Sequence, residues 1–263
     1  MLWNEDRPNL IGVVHLLPTP GAPRYAGDFE AILESAAKDA KALAEGGCDA
    51  IVVENFGDTP FYRESVPPET IASLALATSE VKRSAAGLPV GVNVLRNDAR
   101  AALGLAAVCD AAFVRVNVHV GAAVTDQGII QGDAATTLRE RARLCPNTQV
   151  LCDVHVKHAS PLGDVSIEDS ALETLGRGGA DAVIVSGTGT GAPVDASELA
   201  RVRERIGSGR ILIGSGLNEG NASELLAIAD GAIVGTALKF DGDVSKPVDS
   251  SRVERLARFF RAS

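Results

Sequence analysis

An acid, an imidazole and an amine alternate with apolar residues in the stretch 150–158. Because side chains of a β-strand point alternately to its two faces, Asp153, His155 and Lys157 would share one face. Burying an unpaired charge is costly, so this face is expected to meet a polar cavity rather than an apolar core. A carboxylate beside a cation can accept a proton there, and a lysine or histidine can return one.

A second apolar stretch, 113–118, has the same alternation and places Arg115 and Asn117 on the face of Phe113. A guanidinium and an amide on that face could orient hydroxyl groups or stabilise a developing oxyanion. Further polar residues stand at or near the ends of other apolar runs: His15, Glu54 and Asn93. Glu54 is a second candidate for the proton acceptor.

Other interpretations of the charged set stay open. Asp153, Arg115 and Lys157 could instead form a salt-bridge lattice that supports the fold. Lys157 could form a Schiff base, although the nearby Asp153 would tend to keep it protonated. A metal could be held by Asp153, His155 or His158, although His158 has the opposite strand parity. We expect proton transfer, and assign neither a metal nor a cofactor.

Glycines cluster after three later apolar runs of the chain. Glycine lets backbone amides approach an anion closely, so the clusters predict a phosphate site. The same glycines could instead only form tight turns. Nearby, Lys239 could complement the phosphate charge or be an ordinary solvated lysine. The predicted phosphate-binding residues are Gly187, Thr188, Gly189, Gly214, Ser215, Gly216, Gly235 and Thr236.

Eight short apolar runs, separated by helix-length amphipathic stretches, would position these residues. This pattern predicts a (β/α)₈ barrel, in which the active site lies at the carboxyl ends of the strands. Connections that follow the runs are long and those that precede them are short, which favours a cavity at that same rim. The runs are 10–15, 50–55, 89–95, 113–118, 150–158, 182–187, 211–216 and 232–236.

The chain of 263 residues matches the length of one such barrel, so we expect a single domain over 1–263. The segment 1–9 is expected to be an extension that plugs the bottom of the barrel or contacts a partner. A net charge of −9 disfavours a nucleic-acid surface or a polybasic membrane patch. No apolar run is long enough to span a membrane, so we expect a cytoplasmic protein, and a homo-oligomer.

Seven stretches carry a resemblance to a known family: IGVVHLLP at 11–18, VENFGD at 53–58, GVNVLRND at 91–98, VRVN at 114–117, TDQGII at 125–130, DVHVKHA at 153–159 and VGT at 234–236. Through these stretches the sequence resembles the BtpA family, also called the BtpA/SgcQ family. The resemblance implies a barrel of the ribulose-phosphate-binding type. The family takes its name from a role in photosystem I biogenesis, while its SgcQ-like members look like enzymes of sugar metabolism.

Two functions of different classes follow. The first is an enzyme that acts on a phosphorylated sugar or nucleotide by proton transfer or glycosidic cleavage, as an isomerase, lyase or glycosidase. The second is a non-catalytic assembly factor for photosystem I or another membrane complex, which would need an exposed apolar or charged patch for its client.

Overall fold

The computed structural model describes residues 2–156, 158–187 and 193–262. All of its strands except β5, β6 and β8 pair in parallel and close into a barrel, in the order β1-β2-β3-β4-β7-β9-β10-β11. The strands are β1 (Asn9–His15), β2 (Ala50–Glu54), β3 (Val90–Asn93), β4 (Phe113–Val116), β5 (Ala122–Thr125), β6 (Gly128–Gln131), β7 (Gln149–Val154), β8 (Ala159–Pro161), β9 (Ala182–Val185), β10 (Ile211–Ile213) and β11 (Gly231–Val234).

Helices follow the barrel strands, so the predicted (β/α)₈ barrel is confirmed. Polar residues begin several of them: the Asp28 carboxylate accepts the amide of Ala31 at 3.1 Å, and the Ser166 hydroxyl accepts that of Asp169 at 3.1 Å. The helices are α1 (Phe29–Gly46), α2 (Pro68–Ser84), α3 (Ala99–Cys109), α4 (Ala134–Leu144), α5 (Ile167–Gly176), α6 (Ala196–Ile206), α7 (Ala222–Leu226) and α8 (Ser250–Ala262).

The inside of the barrel is filled by apolar side chains in its lower part and by polar ones near the mouth. Phe113, Leu151 and Ile184 are fully buried and belong to the lower, apolar group. Leu2 joins this group, and Trp3 packs against it, with the Arg210 guanidinium 4.7 Å from the Trp3 ring. Leu2 and Trp3 thus contact the lower apolar group, as expected of a plug, while Asn9 already belongs to β1.

The long connections that follow the fourth and fifth predicted runs contain strands. Residues 119–133 and 159–166 include β5, β6 and β8, which form a separate antiparallel sheet in the order β6-β5-β8. The hairpin between β5 and β6 turns at Asp126 and Gln127, directly before Gly128 with φ of 99°. A turn of this kind between Ala-Ala-Val and Ile-Ile is a recognisable hairpin signal that the loop assignment missed.

The fifth predicted barrel strand, 150–158, is shorter in the structure. Its counterpart β7 ends at Val154 because His155 has φ of 47°, in the left-handed region that a β-strand cannot contain. Alternation of side chains therefore stops at Val154. The predicted parity of His155 with Asp153 is wrong for this reason, and Lys157 lies outside the described residues.

Candidate active site at the barrel mouth

A cavity of about 290 Å³ opens at the carboxyl ends of the barrel strands. One wall carries polar side chains from β1 to β4, and the opposite wall is formed where β10 and β11 end. The sequence-predicted residues that line it are His15, Glu54, Asn93, Arg115, Asn117, Gly214, Ser215, Gly216, Gly235 and Thr236. We call the predicted phosphate-binding residues the glycine rim. Of its described members, all but Gly187 line this cavity together with the polar side chains.

Strand register explains why the polar residues meet. His15 pairs with Glu54, Glu54 with Asn93, and Asn93 with Arg115 across four adjacent strands. Directly paired residues of neighbouring strands have the same height in a barrel, and here each is near its strand's carboxyl end. The four side chains therefore form one polar tier above the apolar filling.

Arg115 is the centre of a buried ionic network. Its Nε donates to Asp153 Oδ2 at 2.8 Å, its Nη2 to Asp153 Oδ1 at 2.9 Å, and its Nη1 to Glu54 Oε1 at 3.1 Å. Burial opposes the charged guanidinium, but the two carboxylates outweigh burial, so the pKa of Arg115 is raised above its ordinary value. Arg115 is therefore a fixed cation beneath the cavity.

Both carboxylate oxygens of Asp153 accept hydrogen bonds within this network. Its side chain has 0% exposure, and both oxygens accept bonds from Arg115. Asn117 Nδ2 donates to its Oδ2 at 2.9 Å, and the Ser186 hydroxyl approaches Oδ1 at 3.5 Å. The Asp153–Arg115 pair of the predicted lattice is present, and Glu54 is the second carboxylate partner of Arg115. The third predicted member, Lys157, lies outside the described residues.

Glu54 and His15 form the polar pair that faces the cavity. Glu54 Oε1 accepts bonds from Asn93 Nδ2 at 3.0 Å and from Arg115, while Oε2 lies 3.9 Å from His15 Nε2. The His15 ring packs on Phe56 with 4.5 Å between ring centres. One carboxylate oxygen is thereby held in place, and the other is directed toward an imidazole.

The residues of the glycine rim have different structural roles. Gly214 donates its amide to Val185 O at 2.7 Å, and a Cβ there would overlap Ser186 and Ile184, so close packing explains this glycine. Gly187 donates its amide to the Ser215 hydroxyl at 3.1 Å. The backbone amides of Gly216, Gly235 and Thr236 find no acceptor among the described residues.

Of the predicted rim residues, Thr188 and Gly189 lie outside the described part of the chain. Gly235 lies close to the polar wall, since a Cβ there would lie 2.7 Å from Cε1 of His15. Glycine at this position keeps the space between the imidazole and the rim open.

Lys239 does not belong to the rim. Its ammonium donates to Asp39 Oδ2 at 2.6 Å, and both side chains are almost fully buried, on the α1 side of the barrel wall. Both expectations for Lys239, a phosphate ligand and a solvated lysine, are wrong. A lysine far in sequence from its partner gave no local sign of this ion pair.

Two arginines that line the cavity were outside the predicted site set. Arg252, at the start of α8, donates from Nε to Ala237 O at 2.8 Å. Arg96 is buried, and burial lowers its pKa, although the charges of Asp153 and Glu54 act in the opposite direction. In the sequence, Arg96 directly follows the third apolar run, whereas nothing connects Arg252 to the rim before the chain is folded.

The remaining histidines have separate positions. His155 faces a smaller cavity of about 90 Å³ beside α5, where its Nε2 lies 3.2 Å from the Ser170 hydroxyl. Burial lowers the pKa of His155 and that of His119, whose Nε2 is bonded to Gly178 O at 2.9 Å. His158 lines the main cavity. His155 therefore lines the smaller cavity and not the main one, contrary to the expectation from the sequence. His119 is bonded to the backbone.

Neither a metal cluster nor a spanning helix is found in the described residues. There, no group of three or more His, Cys, Asp or Glu side chains could hold a metal ion. Within the same ranges, no helix is both long enough and apolar enough to cross a membrane.

A closed parallel barrel with a polar mouth defines the class as a (β/α)₈ barrel. Phosphoribosyl anthranilate isomerase from Thermus thermophilus shares this fold with a TM-score of 0.59 and 13% identity, over 97% of this chain and 98% of that one. At that identity the likeness shows the fold alone.

Residues 6–262 match the BtpA family, and the chain belongs to that family. An uncharacterised protein of Thermococcus kodakarensis is 48% identical over 95% of this chain and 94% of its own. The photosystem I biogenesis protein BtpA of Synechocystis sp. is 42% identical over 93% of this chain and 85% of its own.

Proposed function

We propose that this protein is an enzyme that binds a phosphorylated sugar or nucleotide in the barrel mouth and transfers a proton on it. One observation carries the proposal: the Glu54–His15 pair and the glycine rim line the same cavity. A ligand anchored by its phosphate at the rim would extend its carbon atoms toward the acid–base pair. Binding far from the reacting atoms can supply the energy that positions them.

The anchor in this proposal is a set of backbone donors. The amides of Gly216, Gly235 and Thr236 have no acceptor among the described residues, and all three residues line the cavity. Phosphate oxygens are strong acceptors, and glycine permits close approach of the main chain. We assign these three amides as the hydrogen-bond donors to the phosphate.

The proton acceptor in this proposal is Glu54, and Asp153 is a positioning residue. Glu54 Oε2 faces His15 and the cavity, whereas both oxygens of Asp153 are bonded beneath Arg115. The proton taken by Glu54 would pass from Oε2 to His15 Nε2, 3.9 Å away, and His15 would return it to a second ligand atom. Arg115 would stabilise negative charge that develops on the ligand. Asp153, the first candidate for the proton acceptor in the sequence, would therefore act indirectly, by positioning Arg115.

A free acceptor also favours a hydroxylated ligand. The Asn117 Oδ1 atom is buried and accepts no hydrogen bond from the described part of the chain, while Asn117 Nδ2 is fixed on Asp153. A ligand hydroxyl would supply the missing donor. Sugars and nucleotides both present such groups.

Glycosidic cleavage is less well supported than proton transfer. Common glycosidases place two carboxylates on either side of the bond that breaks. Among the described residues that line the cavity, Glu54 is the only carboxylate. We therefore favour an isomerase-type proton transfer, in which a proton leaves one ligand atom and is returned to another.

Calorimetric titration with ribose 5-phosphate and inorganic phosphate tests the anchor. Gly216→Leu would place a side chain against the ligand, and Gly121→Leu is a matched control, because the two glycines have φ of 73° and 70° and Gly121 has no heavy atom within 4 Å of a Cβ. We expect Gly216→Leu alone to lose phosphate binding. Equal binding by both variants would contradict the anchor.

Proton NMR in D₂O tests the chemistry on any phosphorylated ligand that raises the thermal stability of the protein. Proton transfer at carbon would replace a ligand C–H by C–D. We expect Glu54→Gln and His15→Gln to abolish this exchange and to retain phosphate binding, because neither is a rim donor. Exchange at the unaltered rate in both variants would exclude the pair.

A second candidate function is assembly of a membrane complex, which the name of the Synechocystis relative, a photosystem I biogenesis protein, supports. The expected client patch has a counterpart in the small sheet, where Val124 and Ile129 are paired neighbours on an exposed face and Leu162 is exposed nearby. Val124→Ser with Ile129→Ser would impair assembly in cells but not ligand exchange, whereas Glu54→Gln would do the reverse. The cytoplasmic location and homo-oligomeric state stay predictions, which cell fractionation and light scattering check.

A further inference from the structure

The cavity wall next to the rim contains an arginine that has no ion-pair partner within residues 2–156, 158–187 and 193–262. Arg252 lines the cavity together with Gly235, Thr236 and Ala237. Its Nε donates to Ala237 O at 2.8 Å, and no carboxylate among the described residues lies within ion-pair distance of its guanidinium. A single bond to a carbonyl thus holds the side chain at the rim, and both terminal nitrogens have no hydrogen-bond acceptor among the described residues.

The other cations near this cavity have different surroundings. Arg115 is bonded to two carboxylates, and Lys239 is buried against Asp39 away from the cavity. Arg96 lies on the polar wall, near the charges of Asp153 and Glu54. Of these, only Arg252 is attached directly to the rim segment, through the bond to Ala237.

We propose that Arg252 is the residue that recognises the charge of the phosphoryl group, and so makes the site select dianionic phosphate monoesters. The inference rests on the proposed function and names the ligand class of that site. A guanidinium offers several donors in one plane that match phosphate oxygens, and such charge-assisted bonds are stronger than those from neutral amides. Backbone amides would fix the position of the phosphate, and Arg252 would supply its counter-charge.

Titration of the full chain with ribose 5-phosphate tests this assignment. Arg252→Ala should weaken binding about 10- to 100-fold, the range expected when one charge-assisted hydrogen bond is lost. Arg252→Lys retains the charge but not the planar donors, so its affinity should lie between those of the unaltered protein and of Arg252→Ala. Arg255→Ala is the matched control, because Arg255 lies one turn further along α8, is exposed, and is paired with Glu219 at 3.0 Å.

The pH dependence separates charge recognition from mere support of the loop through Ala237. The second pKa of a phosphate monoester is about 6, so its dianion is lost between pH 7.5 and 5.5. If Arg252 senses that charge, affinity falls over this range in the unaltered protein and in Arg255→Ala, and falls less in Arg252→Ala. A structural role would lower the affinity of Arg252→Ala equally at both pH values.

The outcomes distinguish this inference from the function on which it rests. Binding by the unaltered protein with equal affinity in Arg252→Ala would overturn the role of Arg252 and leave the rim intact. A parallel pH profile in the two proteins would do the same. Failure of the unaltered protein to bind any phosphorylated probe would overturn the proposed function itself. If Arg252→Ala did not fold, Arg252→Lys would carry the comparison through its pH profile and affinity.

Discussion

Replacement of Asp153 by asparagine removes the charge on which Arg115 depends. The Asp153 side chain has 0% exposure and forms two bonds to Arg115, at 2.8 and 2.9 Å. Asn preserves the shape but presents one NH₂ group to a donor, so at least one of these bonds becomes a clash of two donors. Glu54, at 3.1 Å, would be the remaining described carboxylate partner of the guanidinium.

The expected loss of stability is large for a change of so few atoms. Breaking a buried ion pair by removing one partner costs about 3 to 5 kcal/mol, because the other charge is left uncompensated. For a chain of this size each kcal/mol lowers the melting temperature by about 2 to 4 °C. Asp153→Asn should therefore lower Tm by about 6 to 20 °C, in thermal unfolding followed by circular dichroism.

The matched control is Asp241→Asn. Asp241 is also paired, with Lys246 at 2.6 Å, but 78% of its side chain is exposed. Exposed pairs contribute about 0 to 1 kcal/mol, so the control should shift Tm by less than about 4 °C. Equal shifts in the two variants would refute the reasoning that burial of the Arg115 network makes Asp153 structurally essential.

Three further predictions concern other parts of the molecule. Lys239→Met should lower the free energy of unfolding by about 3 to 5 kcal/mol, because it leaves Asp39 buried without its partner. The affinity for phosphate should not change. Weaker phosphate binding with an unchanged free energy of unfolding would contradict this prediction. Gly214→Ala should cost about 1 to 3 kcal/mol by overpacking, whereas Gly104→Ala in α3, where a Cβ meets no atom within 4 Å, should not destabilise in the same unfolding assay. Burial lowers the pKa of His119, so its neutral form supports folding above its unfolded pKa of about 6.5, and that support is lost as pH falls through the lowered folded value. His119→Gln should weaken the fall in unfolding free energy between pH 7.5 and 5.5, and an unchanged fall would contradict the assignment.

Strand parity and loop length were sufficient to predict the barrel, because they are local properties of the chain. Alternation puts Arg115 and Asn117 on the face of Phe113 whatever the partner strand is. Long loops at only one end of the strands favour a cavity at their carboxyl ends. The same reasoning failed at His155, because alternation ends where the backbone leaves the extended region, and φ of 47° is not encoded by a period of two.

Contacts between distant segments could not be predicted from local patterns. The Lys239–Asp39 pair and the approach of Arg252 to Ala237 each depend on how the helices close around the barrel. Similarly, parity places Glu54 and Asp153 on inward faces, but only the register shows that one meets His15 while the other lies beneath Arg115.

A crystal structure with bound ribose 5-phosphate tests the central claim most directly. We predict phosphate oxygens within hydrogen-bond distance of the amides of Gly216, Gly235 and Thr236, with the Arg252 guanidinium beside them. The sugar carbons should extend toward Glu54 and His15. A phosphate bound at another place on the protein, or a sugar directed away from Glu54, would contradict the account.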